Sequence, residues 1–315
     1  MSAKSSSKLP GELRVLVGPT AAGKSDLAMA LAERCGAELV SLDSMQVYRG
    51  MDVGTAKPSA EERARVPHHM LDLVEPDERY DVQRFLADLE PVRLDLAARG
   101  ARALFVGGTA FYLKALTHGL FEGPPTDRAL RARLEAEAQE LGSPALHARL
   151  VELDPDSAAR LHPNDEKRVV RALEVLEQTG RRLSEWQREW RDRQGEGQAG
   201  RPRLLVGVGH EVEHLDRRIR ARTELMLDAG WPEEAARIRE GCGFGPTAVQ
   251  ALGYGEVLKL VDGELTRTAC VEAVALRTRQ FARKQRTWYR KFPEIEWVGG
   301  ELEGQLEAAR RHLGW

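Results

Sequence analysis

Residues 18–25 are the feature that most restricts how this 315-residue chain can fold. They read GPTAAGKS and match the phosphate-loop pattern G-x-x-x-x-G-K-[ST]. This pattern has a physical meaning only between a strand and a helix. A β-type run, Leu13–Val17, precedes the loop, and apolar residues at helical spacing fill Lys24–Cys35. We therefore predict an α/β fold in which a strand delivers a glycine-rich loop to the start of a helix.

The loop is predicted to bind a polyphosphate. Its glycines let backbone N–H groups face phosphate oxygens, and the helix N-terminus adds a partial positive charge. A lysine at this place bridges phosphates, and the hydroxyl after it can hold Mg²⁺. The candidate phosphate ligands are Gly18, Pro19, Thr20, Ala21, Ala22, Gly23, Lys24 and Ser25, with Ser25 as the metal ligand. By itself such a loop fits a nucleotide-binding kinase, an ATPase, a GTPase or an enzyme whose substrate carries a diphosphate.

Strands and helices continue to alternate after the loop. Further strands are predicted over residues 38–42, 102–106 and 204–209. Helices are predicted over residues 86–98, 110–117, 213–229, 232–240, 256–262 and 266–290. This alternation is typical of a parallel sheet covered by helices on both faces. The predicted fold class is α/β, with a P-loop-type parallel sheet core flanked by helices and an all-helical inserted domain.

The inserted domain is predicted from a change of pattern at residues 123–125, which read Gly-Pro-Pro. Residues 127–190 have helical periodicity and almost no strand signal. Residues 194–202, QGEGQAGRP, are predicted to form a polar linker. The catalytic core is therefore expected at 11–122 and 201–315, and the helical insertion at 123–200.

Composition narrows the class of protein further. Hydrophobic residues make up 42% and charged residues 30%, which is ordinary for a soluble globular chain. The three cysteines stand outside any C-x-x-C pair, so neither a disulfide framework nor a structural zinc site is expected. No apolar run approaches the roughly 20 residues of a membrane span. We expect a cytoplasmic monomer that does not contact a membrane and has a loose polar tail over residues 1–10.

Two polar residues follow predicted strands and are candidates for chemistry. The carboxyl ends of parallel strands face the same crevice as the phosphate loop, so Asp43 should lie near the phosphate. It can hold a metal, act as a general base, or form a turn cap with Ser44. Thr109 follows the turn Gly107-Gly108. It can point into the same crevice or only cap the helix that follows.

A strongly basic segment indicates nucleic acid as a partner, although the net charge is only −2. Residues 277–291 hold seven Arg or Lys and no acid. Polar and aromatic side chains stand between them, namely Gln280, Gln285, Trp288 and Tyr289. Phosphate contacts combined with base stacking need such a mixture. The alternative is a solvated helix face.

Basic residues also stand on two other predicted helices. Lys167, Arg168 and Arg171 form a cluster that can meet a nucleic-acid backbone. Arg218 and Arg222 are four residues apart and share a helix face. Two arginines so placed can clamp a phosphate, or they can pair with nearby acids such as Glu224 and Asp228.

Seven motifs in a fixed order make the chain resemble a known family. They are residues 18–25 (GPTAAGKS), 43–58 (DSMQVYRGMDVGTAKP), 68–72 (HHMLD), 107–116 (GGTAFYLKAL), 162–175 (HPNDEKRVVRALEV), 250–256 (QALGYGE) and 278–288 (TRQFARKQRTW). Together they closely resemble the bacterial tRNA dimethylallyltransferase family. The resemblance extends from about Leu13 to Trp288, and Lys284 stands where an arginine is common in the family.

The resemblance implies a specific reaction. The family transfers a dimethylallyl group from dimethylallyl diphosphate to N6 of an adenosine beside the tRNA anticodon, and diphosphate is released. The phosphate loop would hold the donor diphosphate with Mg²⁺. Asp43 would act as general base, Thr109 would orient the leaving group or the amine, and Lys24 and Arg222 would neutralise the diphosphate. The insertion at 123–200 would be a mobile lobe that closes over the anticodon stem-loop.

The resemblance also implies a set of tRNA contacts. They are Asp43, Ser44, Met45, Gln46, Lys167, Arg168, Val169, Val170, Arg171, Gln250, Ala251, Leu252, Gly253, Tyr254, Gly255, Arg283, Lys284, Gln285, Arg286, Thr287, Trp288, Tyr289 and Arg290. From composition alone, an apolar path for the prenyl group is assigned to Tyr48, Phe111 and Tyr112. Alternatives are a small-molecule kinase, a non-catalytic RNA-binding protein, and an adenylate isopentenyltransferase that uses free nucleotide.

Overall fold

The computed structural model describes residues 12–120, 123–197, 203–209 and 212–315. The chain separates into two compact units, one made of Met1–Thr117 with Arg201–Trp315 and the other of His118–Gly200. The predicted tail over residues 1–10 lies outside the described residues. The predicted linker at 194–202 does so only from residue 198 onward, since a helix continues through Gly197.

The described residues of the larger unit form one six-stranded sheet in the order β3-β2-β4-β1-β5-β6, in which all neighbours are parallel. The strands are β1 (Leu13–Val17), β2 (Ala37–Ser41), β3 (His68–His69), β4 (Arg102–Gly107), β5 (Arg203–Val208) and β6 (Ile295–Val298). The central strand β1 places Val15 opposite Phe105 on one side and Leu205 on the other.

The helices of the larger unit are α1 (Lys24–Cys35), α2 (Ala60–Arg65), α3 (Val82–Ala98), α4 (Ala110–His118), α10 (Val212–Asp228), α11 (Trp231–Glu240), α12 (Tyr254–Val261), α13 (Arg267–Tyr289) and α14 (Leu302–His312). The helices of the smaller unit are α5 (Arg128–Leu141), α6 (Ser143–Leu153), α7 (Pro155–Ala158), α8 (Glu166–Thr179) and α9 (Leu183–Gly197). Helix α4 ends at the boundary between the units, and a short 3₁₀ turn covers Ala248–Gln250.

Successive residues of the central strands point to opposite faces of the sheet, and both faces are covered. Val15 and Phe105 lie in the core cluster that also contains residues of α3, α4 and α13. Leu16 and Leu104 lie in a second cluster with residues of α1 and α14. The predicted α/β class, with its parallel sheet and flanking helices, is therefore confirmed.

The predicted strands and helices of the larger unit are confirmed to within a few residues, and four further elements were not predicted. Strand β3 has only two residues, too few to produce an alternating pattern. Strand β6 lies at the sheet edge, where Trp297 is exposed and the alternation is weak. Helix α2 has no buried residue and begins at a capping box formed by Ser59 and Glu62, and α14 packs on the sheet through Leu306.

The smaller unit is built from helices alone over its described residues. Leu134, Leu150 and Leu173 belong to its own hydrophobic core. The carboxylate of Glu174 is fully buried there and pairs with Arg131 and Arg171. In the parts of the chain that the structure describes, no helix is both long and apolar enough to cross a membrane.

Candidate active site

The phosphate loop lies between β1 and α1, as predicted, and its conformation depends on glycine. A Cβ atom on Gly18 would stand 2.5 Å from the carbonyl oxygen of Val208, so no side chain fits there. Gly23 caps α1 in the left-handed region with φ +83°, and no side chain supplies that cap. Without a side-chain cap, the N-terminus of α1 presents its partial positive charge to the loop, which suits a bound anion.

Asp43 and Thr109 lie side by side at the carboxyl ends of β2 and β4. The Thr109 hydroxyl accepts a hydrogen bond from Ser44 N at 3.1 Å and lies 3.4 Å from the Ser44 hydroxyl. One Asp43 oxygen accepts from Met45 N at 2.8 Å. The carboxylate thus has a local turn contact and still lines the crevice.

Lys24, Arg222 and Asp43 are close enough to influence one another's charge. The pKa of Lys24 is lowered to about 8 by burial and by the Arg222 guanidinium, and Asp43 opposes that shift. Burial likewise lowers the pKa of Arg222, again against the pull of Asp43. Lys24 and Arg222 thus face the crevice beside Asp43, and an anionic ligand would stabilise both cations.

Arg218 and Arg222 take different roles on α10. Arg218 donates from Nε to the carbonyl oxygen of Ala21 at 2.9 Å and so supports the phosphate loop. Arg222 lines the crevice, and no carboxylate among the described residues lies within salt-bridge distance of it. The predicted alternative of pairing with Glu224 or Asp228 is therefore wrong for Arg222, and Asp228 pairs with Arg267 instead.

The inward side of α13 joins the two glycine loops. The Gln285 side chain accepts from Thr20 N at 2.9 Å and donates to the Gly108 carbonyl at 2.8 Å. The Tyr289 hydroxyl donates toward the carbonyl oxygens of Gly18 and Gly108, at 3.3 and 3.1 Å. Both side chains are buried, so their contacts here are to the protein and not to solvent.

The outward side of α13 is cationic. Arg283, Lys284 and Arg290 are exposed, and Arg286 is partly exposed. Over the described residues none of the four has a carboxylate partner, whereas Arg277 pairs with Glu256. The predicted basic face thus exists, and it alternates with the buried Gln285 and Tyr289 along one helix.

Two adjacent cavities form the crevice. The residues that line both are Thr20, Ala21, Asp43, Thr55, Gly108, Arg222 and Phe281. The phosphate-loop cavity, about 650 Å³, is the one lined by Lys24 and Ser25. The basic-helix cavity, about 640 Å³, is lined by the 3₁₀ turn that ends at Gln250 and by Lys284. Asp43 therefore lies where the phosphate-loop cavity meets the basic-helix cavity.

The other predicted RNA contacts divide by burial. Met45 and Gln46 line the crevice, and so do Gln250, Ala251 and Leu252. Gly255 and Thr287 are exposed and Trp288 is partly exposed, whereas Gly253 and Tyr254 are buried. Within the smaller unit, Lys167 and Arg168 are exposed on α8, Val169 and Val170 belong to the core, and Arg171 pairs with Glu174.

The predicted prenyl path is wrong. Tyr48 and Tyr112 are buried in the hydrophobic core, and Phe111 is 45% exposed at the surface. None of the three lines either cavity. Composition could not reveal this, because Phe85 stacks on Tyr112 with ring centroids 4.1 Å apart and so fixes it in the core.

Sequence reasoning missed a buried carboxylate beside the crevice. Glu234 on α11 accepts hydrogen bonds from the backbone N–H groups of Asp52, Val53 and Gly54. Its only sequence signal is an acid in the first turn of a helix, which is common. The contact joins residues 182 positions apart, so no local sequence pattern could predict it.

A Mg²⁺ site fits this crevice only as a shared one. Among the described residues no group of three His, Cys, Asp or Glu side chains is placed to hold a metal. Ser25 stands exposed in the first turn of α1 and lines the phosphate-loop cavity. Mg²⁺ commonly takes one or two protein ligands together with substrate phosphates and water, and Ser25 suits that arrangement.

The fold and the crevice define a phosphate-loop α/β protein with a cationic helix at the mouth of its site. A sequence model of the family described as IPP transferase matches residues 46–292, and one described as isopentenyl transferase matches residues 11–72. A tRNA dimethylallyltransferase from Geobacter sulfurreducens is 45% identical over 91% of both chains. Another from an Anaeromyxobacter species is 46% identical over 95% of this chain and 98% of the relative.

Solved structures agree with these relatives. The full-length tRNA isopentenylpyrophosphate transferase from Bacillus halodurans has a TM-score of 0.67 at 33% identity, over 96% of both chains. A eukaryotic dimethylallyltransferase, captured in crystallographic snapshots of its action on tRNA, has a TM-score of 0.75 at 29% identity, over 91% of this chain and 73% of the other. The chain belongs to the tRNA dimethylallyltransferase family.

Proposed function

We propose that this protein transfers the dimethylallyl group of dimethylallyl diphosphate to N6 of an adenosine beside the tRNA anticodon. A bond forms between N6 and C1 of the prenyl group, the C1–O bond breaks, and diphosphate leaves. The observation that carries this proposal is the position of Asp43, which lines both cavities of the crevice. The donor then occupies the phosphate-loop cavity, the adenosine enters from the basic-helix cavity, and the two reacting atoms meet at Asp43.

Asp43 is assigned as the general base. The N6 lone pair of adenine is delocalised into the ring, so the amine is a weak nucleophile. A carboxylate that accepts one N6 proton during attack raises its reactivity. The Thr109 hydroxyl accepts from Ser44 N and so holds the backbone next to Asp43, which orients the base. This contact is possible because β2 and β4 are neighbouring strands that end at the same edge of the sheet.

Lys24, Arg222 and Ser25 are assigned to the diphosphate. As C1 is transferred, negative charge grows on the departing diphosphate oxygen, and fixed cations lower the energy of that state. Lys24 and Arg222 supply those cations, and the N-terminus of α1 adds its partial positive charge. Mg²⁺, held by Ser25 and the diphosphate, would neutralise the remaining charge when bound.

The tRNA is assigned to the outward side of α13. Arg283, Lys284, Arg286 and Arg290 have no competing carboxylate over the described residues, so phosphates can take that role. A base inside a stacked loop is out of reach of Asp43, so the adenosine must flip into the basic-helix cavity. We assign the smaller unit, with Lys167 and Arg168, as a second tRNA-binding lobe. We further assign the protein to the cytoplasm as a monomer.

The proposal is tested by incubating the protein with dimethylallyl diphosphate, Mg²⁺ and unmodified tRNA, followed by mass analysis of the nucleosides. We expect a prenyl mass gain on adenosine. Asp43→Asn should reduce the rate by about 10²- to 10⁴-fold, the usual contribution of a positioned base, with tRNA affinity preserved. Asp95→Asn, which changes an exposed acid paired with Arg99 on α3, is the matched control.

No mass gain with any tRNA preparation would end the proposal. Hydrolysis of ATP with binding of ATP far tighter than that of dimethylallyl diphosphate would favour a kinase. Prenylation of free AMP in preference to tRNA would favour an adenylate isopentenyltransferase. Full activity of Asp43→Asn would remove the assigned base while leaving the reaction itself in place.

A further inference from the structure

Glu234 is a buried acid with an unusual set of partners. The residue is 3% exposed in the first turn of α11. One carboxylate oxygen accepts from Asp52 N and Val53 N at 2.8 and 2.7 Å. The other accepts from Gly54 N at 3.0 Å and from the Tyr254 hydroxyl at 2.6 Å. Three consecutive backbone N–H groups thus converge on one side chain from a different part of the chain.

The segment that Glu234 holds is internally braced. Within residues 51–57, which we call the anchored loop, the Thr55 hydroxyl donates to the Met51 carbonyl at 2.6 Å. Lys57 Nζ donates to the Asp52 carboxylate at 2.6 Å, and Lys57 N donates to the Asp52 carbonyl at 2.9 Å. These bonds connect the two ends of the loop, so a contact at one end also constrains the other.

The anchored loop forms part of the wall of the basic-helix cavity. Gly54 and Thr55 line that cavity together with Trp231, which precedes Glu234 on α11. A Cβ on Gly54 would lie 2.2 Å from Trp231 Nε1 and 2.5 Å from the Tyr254 hydroxyl. The loop backbone is therefore pressed against these rings, and Glu234 holds residues 52–54 there from α11.

We propose that Glu234 is a positioning residue for the acceptor: by binding three N–H groups of the anchored loop, it sets the wall against which the flipped adenosine is placed. The inference rests on the proposed function, since it assigns the basic-helix cavity to the adenosine. Glu234 lies outside the crevice and acts on it through this loop. Thr55, Ala56 and Lys57 of the anchored loop also line the phosphate-loop cavity, but Lys24 and Ser25, which are assigned to the diphosphate, belong to α1, so the donor should depend on Glu234 much less than the acceptor does.

The chemistry of the contact requires a carboxylate. All four partners are donors, three N–H groups and one O–H, and both oxygens of an ionised carboxylate accept. An amide of the same shape would turn one NH₂ donor toward backbone N–H or hydroxyl donors, whichever way it is flipped. Burial and the neighbouring Glu234 carboxylate raise the pKa of Tyr254, so the phenol keeps its proton and donates a hydrogen bond to Glu234.

The decisive comparison is Glu234→Gln against Glu233→Gln. The control removes the same charge from the adjacent residue, which is exposed in the same helical turn. For Glu234→Gln we expect KM for tRNA to rise about tenfold and kcat to fall severalfold, the usual size of a lost buried charged hydrogen bond. KM for dimethylallyl diphosphate and the affinity for inorganic diphosphate should change by no more than about twofold, and Glu233→Gln should match the parent protein.

A second variant, Tyr254→Phe, tests whether an effect on tRNA binding comes from the N–H contacts of Glu234 or from general disturbance of the cluster. Tyr254→Phe removes one hydroxyl from the cluster and leaves all three N–H contacts, so it should raise KM for tRNA by about threefold at most. Equal rises in KM for donor and tRNA, or an unchanged KM for tRNA in a folded Glu234→Gln, would overturn the inference. A parent protein that prenylates no adenosine would overturn the proposed function instead, which keeps the two failures apart.

Discussion

Two helices of this chain, α13 and α8, both carry clustered basic residues, but these residues have different structural environments. On α13, the cations Arg283, Lys284 and Arg286 face outward with no carboxylate partner over the described residues. On α8, Arg171 pairs with the buried Glu174 and donates to the Pro124 carbonyl, and Arg168 pairs with Asp165. Of the three α8 cations, Lys167 alone has no ion pair in the described structure.

This difference shows that a run of basic residues predicts positive charge, but does not predict which side chains are free to bind RNA phosphates. If a cation already pairs with a buried carboxylate, binding a phosphate instead leaves that carboxylate unpaired and costs free energy. A cation that faces water with no partner releases counterions when RNA binds and gains affinity. We therefore expect α13 to supply most of the tRNA affinity and Arg171 to supply stability of the smaller unit.

The largest expected effect is the loss of tRNA affinity in Arg283→Gln/Lys284→Gln/Arg286→Gln. Three lost phosphate contacts should weaken binding about 100-fold near physiological salt and reduce the salt dependence by about three units of slope. Filter binding or anisotropy at several salt concentrations measures both. The α8 double variant Lys167→Gln/Arg168→Gln is the comparison, and an equal loss there would erase the contrast between the segments.

The next effect is on stability and concerns Arg171→Ala. Removing one partner of the buried Glu174 leaves Arg131 as its remaining cation, so unfolding of the smaller unit should become easier by about 2 kcal/mol. Thermal and denaturant unfolding measure this. Arg168→Ala, which breaks a surface pair with Asp165, should cost less than about 1 kcal/mol. If Arg171→Ala were stable but bound tRNA poorly, the assignment would be reversed.

The inward side of α13 should behave differently from its outward side. Gln285→Ala removes the partners of Thr20 N and the Gly108 carbonyl, so inorganic diphosphate should bind about 20-fold more weakly. The affinity for tRNA should change little, because the outward cations are untouched. Calorimetry with diphosphate and anisotropy with tRNA separate the two. Gln83→Ala, the same change at an exposed position on α3, is the control, and a Gln285→Ala defect confined to tRNA would contradict this division.

The smallest expected effect is a pH dependence of diphosphate binding that comes from Lys24 in the phosphate loop and not from the arginines of α13. The pKa of Lys24 is lowered to about 8, so the lysine is charged below that pH and loses its proton above it. Diphosphate affinity should therefore fall about tenfold more between pH 7 and 9 than in Lys24→Arg, whose guanidinium stays charged. The ligand's own titration is common to both proteins and cancels. Identical pH profiles would show that Lys24 does not titrate there.

The sequence by itself determined the local geometry of the site. The phosphate loop, the strand before it and Lys24–Cys35 after it follow from glycine positions and apolar spacing within about 25 residues. Asp43 and Thr109 were placed in one crevice by a rule of parallel sheets, and the hydrogen bond between Thr109 and Ser44 N agrees with that placement. Such features are encoded locally, because backbone conformation and strand direction depend on near neighbours.

Only the tertiary structure decided which side chains are free to act. Gln285 and Tyr289 look like RNA contacts in the sequence, yet packing buries them against Gly18 and Gly108. Arg171 forms an ion pair with Glu174. Glu234 accepts hydrogen bonds from the anchored loop, which is about 180 positions earlier in the chain. Burial and pairing depend on contacts between distant segments, and the free energy of a charged or polar group depends on those contacts far more than on its neighbours in sequence.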